Sequence, residues 1–206
     1  MAVQEKNTEE LILAAASKVF TKKGFAATRT EDIAAEAGIN RALLHYYYRD
    51  KQSIFNIIFE ARFKEFFKGL FLIFEADNLT LFDRIRRIID HEISSLIKHP
   101  DLARFVIMEI AQDPGRLVEY GQKLGINPRL LIATFEKEVA LAAEQGIIRQ
   151  VSGRQLLISI MSLCVYPFVA RPIIQTLMQV EDSGFEKMME LRKQEAFDLI
   201  ANSIKK

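Results

Sequence analysis

The sequence predicts an all-α chain, and three features carry the prediction. Glycine and proline together supply only 14 of the 206 residues, about 7% against a usual level of about 12%. Few turns are therefore available, which favours long helices over many short strands. Apolar residues recur at steps of three and four, and no stretch alternates with the period of a strand. The punctuation is late: the first proline is Pro100, and Pro114, Pro128, Gly146 and Gly184 mark later joints.

The first predicted helix runs over 7–23. Asn7 is a capping residue with Glu10 three positions on. Leu11, Ile12, Ala15, Val19 and Phe20 form one stripe, Lys22 and Lys23 suit the negative end of the helix dipole, and Gly24 stops it. A second helix starts near Thr28, which pairs with Glu31 in a capping box, and ends at Gly38. A third, short one starts at the N-cap residue Asn40. Asp50 caps a long fourth, where Phe55, Phe59, Phe63, Phe66, Leu70 and Phe74 form a stripe. Further helical segments cover 81–98, 101–111, 117–124, 128–145, 153–179 and 185–204. Pro167 and Pro172 should kink or split the 153–179 segment. The expected organisation is a head over 1–50 and a helical body over 51–206.

Composition excludes several classes. Lys plus Arg is 28 and Asp plus Glu 27, a net charge of +1, so this is no polybasic protein, although a local basic face stays open. Half the residues are apolar, too many for wholesale disorder. Cys164 is the only cysteine, so no disulfide forms within the chain and a cytoplasmic location is expected. Met1–Glu10 lacks the apolar run of a signal peptide. The apolar stretch 54–74 is broken by Glu60, Arg62, Lys64, Glu65 and Lys68, so no membrane span is expected. His91, His99 and Cys164 do not make a metal set, and no nucleophilic triad, phosphate loop or HExxH stands out. Neither an enzyme nor a cofactor is expected.

The twenty residues from Thr30 to Arg49 have the spacing of a helix-turn-helix. Two short helices crossing steeply need a small residue at the contact, supplied by Ala34. The tight turn needs positive φ, which Gly38 tolerates. Ile33, Ala37, Ile39 and Leu44 lock the pair together. The second helix then presents Asn40, Arg41, Ala42, His45 and Tyr46 outward. Asn and Arg read base edges and Tyr bonds phosphate. Arg41, Arg49 and Lys51 against Asp50 give this stretch a charge of +2, and phosphate contact supplies much of the affinity for DNA. A head used to bind another protein, and an all-helical small-molecule carrier, are the rival readings.

TEDIAAEAGINRALLHYYYRDK over 30–51, with the lead-in ILAAASKVFTKKGFAATRTEDIA, resembles the DNA-binding domain of the TetR family of bacterial transcriptional regulators. The resemblance covers about residues 8–60. It implies a three-helix head joined by a long fourth helix to an α-helical ligand-binding and dimerisation domain. It further implies a homodimer on a palindromic double-stranded operator, usually a repressor, loosened by a small-molecule effector. By position the DNA contacts fall on Thr28, Arg29, Asn40, Arg41, Leu43, Tyr46, Tyr47 and Lys51, with Thr28 capping the second helix and Tyr46 and Lys51 at phosphates. The chain departs from the family where Ala42-Leu43 replaces Gly-Thr, Tyr47-Tyr48 replaces His-Phe and His45 stands where Tyr is frequent. Leu43 cannot donate a hydrogen bond but can touch a thymine methyl.

An effector pocket of the usual kind is apolar with a few polar groups. Phe63, Phe66, Phe67, Phe105, Met108, Cys164, Tyr166 and Phe168 are its apolar candidates, and His91, Arg104 and Glu109 its polar ones. The richness in Phe and Met suits an apolar effector over a nucleotide. The phenylalanine stripe reads equally as core. For dimerisation the candidates are 156–178, with Leu156, Ile160, Leu163, Tyr166 and Phe168, and 185–204, with Met188, Leu191, Phe197 and Ile204. Such an interface would be isologous, and the same stripes also read as intramolecular core.

Overall fold

The computed structural model of the chain describes residues 2–100, 110, 111 and 113–206, with side chains from residue 7 onward. Among the described residues stand ten helices: α1 (Ala2–Ala27), α2 (Thr30–Glu36), α3 (Arg41–Tyr47), α4 (Lys51–Glu75), α5 (Leu81–Lys98), α6 (Gly115–Lys123), α7 (Pro128–Glu144), α8 (Gly153–Val169), α9 (Arg171–Met178) and α10 (Asp182–Ile204). Short polar caps set many of the starts. Asn40 Oδ1 accepts from Leu43 N at 2.8 Å, Asp50 Oδ1 from Ser53 N at 2.8 Å and Thr80 Oγ1 from Asp83 N at 3.2 Å. Each satisfies an amide that has no partner within its helix.

Several helix starts differ from the sequence reading, while the break expected in 153–179 is present. Helix α1 already runs at Ala2, so Asn7 lies inside it and caps nothing. Gly24 does break its path, at φ 76° and ψ 164°, a conformation open to glycine. Helix α2 begins at Thr30, not at Thr28; its N-cap residue is Arg29, whose amide donates to Asp32 Oδ2 at 2.9 Å. The predicted 153–179 helix is split into α8 and α9, which meet at 69°. Pro172 sits in the first turn of α9, where a missing amide hydrogen matters least, while Pro167 stays inside α8.

The chain packs as two compact units, Met1–Lys64 and Glu65–Lys206. The packing boundary therefore falls inside α4, beyond the functional boundary read near residue 50. The N-terminal unit is cored by Ile12, Phe20, Ile33, Leu44, Ile54, Phe55, Phe59 and Phe63. Phe55 meets Phe20 edge-on at 5.3 Å between centroids and Phe25 at 4.7 Å, geometries that aromatic rings favour. Gly38 turns the α2–α3 corner at φ 66°.

The C-terminal unit is aliphatic by contrast. Ile85, Ile88, Ile89 and Ile93 of α5 pack with Phe135 and Val139 of α7, Ile160 and Phe168 of α8, and Phe185 and Ile200 of α10. Arg84 is 6% exposed. Its fork donates to the carbonyls of Ile73, Phe74 and Ala76 at the end of α4, and its Nε stands 2.7 Å from Glu138 Oε2. A buried guanidinium is tolerable because its outer nitrogens find carbonyl acceptors and the Glu138 carboxylate balances its charge. No single helix among the described residues is long and apolar enough to cross a membrane; α8 and α9 pass that test only together, across their bend.

Candidate nucleic-acid interface

The helix-turn-helix arises from α2, α3 and the glycine corner. Ile33, Ala34, Ala37 and Leu44 are buried and Ile39 is half-buried. Burying Leu44 turns the opposite side of α3 outward. Asn40, Arg41, Ala42, Leu43, His45 and Tyr46 are all exposed, Tyr46 at 75%. No part of the described chain covers this face. Tyr47 is half-buried and meets Tyr46 edge-on at 5.3 Å.

Arg41 is held before any partner arrives. Its NH1 stands 2.8 Å from Glu31 Oε1 on α2. Its Nε donates to His45 Nε2 at 3.3 Å, while His45 Nδ1 pairs with the Arg49 carbonyl at 3.2 Å. A carbonyl only accepts, so Nδ1 carries the proton and Nε2 is free to accept: this network requires the neutral ring. A hydrogen bond from its own backbone amide, helped by Arg41 and Thr30, holds the Glu31 carboxyl below its ordinary pKa. Glu31 was missed in the sequence beyond its capping role, because only the α2–α3 crossing places it beside Arg41. The guanidinium still has donors to offer a base.

Two positions carried over from the family resemblance have other work here. Thr28 is 1% exposed and its hydroxyl donates to the Gly24 carbonyl at 2.7 Å, so it does not cap α2. Lys51 Nζ donates to the carbonyls of Phe25 (2.9 Å), Ala26 (3.3 Å) and Thr28 (2.8 Å) and lies 4.5 Å from the Phe25 ring centroid. All three ammonium donors are thus spent on the carbonyl end of α1, and a phosphate contact would require some of these bonds to be given up. Arg29 is exposed. Asn40 spends its oxygen on the cap and keeps its amide hydrogens for a partner.

The described pocket candidates differ in unit and burial. Phe63 is 1% exposed within the N-terminal unit, stacked on Phe59 at 5.8 Å. Phe66 and Phe67 are half-buried in the C-terminal unit, where His91 Nε2 bonds the Phe66 carbonyl at 2.9 Å. Cys164 and Phe168 are buried core, but Tyr166 is 65% exposed. Arg104, Phe105, Met108 and Glu109 lie outside the described residues. Glu92 escaped the sequence reading although α5 signalled it: it stands at helical steps from Ile85, Ile88 and Leu96, where an apolar residue belongs. It is 3% exposed. Among the described residues no group of three His, Cys, Asp or Glu is placed to hold a metal ion.

The dimer stripes also shift. Leu156, Ile160, Phe168 and Ile204 are buried, and Leu163, Met188 and Phe197 pack against the same core. Tyr166 and Leu191 do face solvent, together with Ile158 (55%), Met161 (47%) and Leu199 (56%). Helix α8 is apolar on both sides, so periodicity could not say which side faces inward.

Residues 12–58 match the family model described as bacterial regulatory proteins, tetR family. Residues 82–200 match the tetracyclin repressor-like C-terminal domain. The HTH-type transcriptional repressor NicS of Pseudomonas putida is 37% identical over 65 residues, which is 32% of this chain and 31% of NicS. The chain thus matches about a third of the length of that curated relative. The ketosteroid transcriptional regulator KstR2 of Mycobacterium tuberculosis superimposes with a TM-score of 0.73 at 14% identity, over 96% of this chain and 95% of that one. A tetR-family regulator from Rhodococcus RHA1 gives 0.68 at 17%, over 94% and 96%. At such identities the solved structures speak for the fold.

Proposed function

The chain belongs to the tetR family of bacterial transcriptional regulators, and from that premise we propose that it is a homodimeric repressor released from a palindromic operator by a small, largely apolar ligand. The observation that supports this reading most is the open face of α3, with Arg41 62% exposed by side chain and pre-set by Glu31. Arg41 reads a base edge, Asn40 a base or phosphate, Leu43 a thymine methyl, and Tyr46 and Tyr47 the backbone. Arg29 adds positive charge at the entry to α2.

Two α3 helices must sit about 34–36 Å apart to enter successive major grooves. The exposed apolar residues of α8 and α10, Ile158, Met161, Tyr166, Leu191 and Leu199, are the self-complementary surface we assign to the dimer. A ligand loosens DNA only as far as it prefers the DNA-incompetent state: a hundredfold effect takes about 2.7 kcal/mol. The mechanism assigned is a shift of α4 that spoils the spacing of the two heads.

Duplexes selected by the full chain from a random-sequence pool, then titrated by mobility shift at several salt concentrations, test the reading. Arg41→Ala should relax preference at one base pair per half-site, and Tyr46→Phe should weaken all duplexes alike. Absence of any salt-dependent retention, or a monomer by sedimentation, overturns it.

A further inference from the structure

Glu92 is out of keeping with everything around it. Its neighbours at helical steps on α5, Ile88, Ile89 and Leu96, are buried, as are Ile160 and Phe168 on α8, and all belong to one apolar cluster. One carboxyl oxygen takes a hydrogen bond from the Cys164 thiol; Oε2 is buried and has no hydrogen-bond partner among the described residues. The thiol stays protonated, because burial and then Glu92 itself push its pKa far up. It is therefore a weak, neutral donor and offsets little of the desolvation of a carboxylate.

Among the described residues no cation is paired with Glu92. Burial lifts its pKa to about 7, opposed only by the Cys164 hydrogen bond. Arg192, which acts on the Cys164 thiol, donates its Nε to the Leu163 carbonyl at 2.7 Å and does not contribute to the Glu92 shift. Buried Arg84, four positions before Ile88 on the same helix, shows how this unit treats a charge it keeps for structure: three carbonyls and a carboxylate surround it. Glu92 has been left without such a set. An acidic group with an unused oxygen, enclosed by aliphatic and aromatic side chains, has the chemistry of a polar anchor in an apolar ligand site.

We propose that Glu92 is the anchor of an effector site in the C-terminal unit, and that the effector is an amine with a compact apolar body. The ammonium supplies the charge-assisted hydrogen bond that Oε2 lacks, and the apolar body takes the place of side chains between α5, α8 and α10. Because the core is closed around Glu92, the amine selects a state in which these helices have parted, and that state is what couples it to the DNA-binding unit. The proposal rests on the ligand-release reading given above and narrows it to one chemical class.

The test uses the full-length chain with hexylamine, hexanol and hexanoate as probes, by calorimetric titration and thermal shift. Hexylamine should bind saturably and hexanoate should not. Glu92→Gln keeps the shape of the side chain and should weaken hexylamine by about 10- to 100-fold, or about 1.4–2.7 kcal/mol, while hexanol changes by less than about threefold. Equal binding of hexylamine and hexanoate, or unchanged hexylamine binding in Glu92→Gln, overturns the proposal. Should Glu92→Gln fold poorly, Cys164→Ser, which leaves the carboxylate in place, must retain hexylamine binding. Duplex retention without any amine reports the DNA-binding reading separately. Loss of amine binding with DNA retention intact sinks only the anchor. Amine binding that leaves duplex affinity unchanged sinks the coupling.

Discussion

The two units deal with charge in opposite ways. In the N-terminal unit no described charged side chain is buried, and several pair at the surface, such as Lys23–Asp32 at 2.7 Å and Glu31–Arg41 at 2.8 Å, while rings fill the interior. The C-terminal unit takes Arg84 and Glu92 inside. Exposed pairs cost little to break and remake, which suits a surface that exchanges internal partners for phosphates and bases. Buried charge is costly to leave unmatched, which suits a unit whose state depends on what arrives. The comparison can be broken at both ends.

The largest effect should come from the aromatic core of the head. Phe55→Ala removes a ring that touches Phe20 and Phe25, and should destabilise the N-terminal unit by about 3–5 kcal/mol, read as a lowered urea midpoint together with lost duplex binding. Unfolding unchanged within error would mean that the rings do not carry this unit.

Next comes Glu92, through pH. Its ordinary pKa of 4.5 becomes about 7 in the fold, so the folded chain holds this proton more tightly than the unfolded one. The stability it confers is complete below pH 4.5 and is lost as pH rises through 7, a change of about 3 kcal/mol. Urea titrations at pH 5 and pH 8 should show that fall in the wild type and a smaller one in Glu92→Gln. Parallel pH curves for the two proteins would place Glu92 in contact with water.

Lys51 sharpens the contrast between structural and DNA-facing cations. If its donors stay on the α1 carbonyls, Lys51→Met should lower stability by about 1.5–3 kcal/mol and leave the salt dependence of duplex binding unchanged. If it moves to a phosphate, the slope of log affinity against log salt should fall by about 0.9. The smallest effect belongs to Glu31→Gln. Stability should change by less than about 1 kcal/mol, while discrimination at the base pair read by Arg41 weakens, because the guanidinium is no longer pre-set. Base preference after reselection checks this; an identical selected sequence would reduce Glu31 to a surface ion pair.

The sequence by itself determined the all-helical class and the helix-turn-helix. Those rest on local rules: apolar steps of three and four, a small residue at the crossing, a glycine where φ is 66°, and Asn40 at a helix start. The outward face of α3 followed from its periodicity once Leu44 was placed inside. Tertiary structure decided what local rules cannot reach. Lys51 finds its carbonyls in a segment more than twenty residues away, and Arg41 meets Glu31 across the α2–α3 corner. Helix α8 carries apolar residues all round, so only its neighbours could choose which side became core. Glu92 stood out of register in a visible stripe, yet whether such a residue is paired, solvated or orphaned depends on which helices close over it, and no period along the chain encodes that.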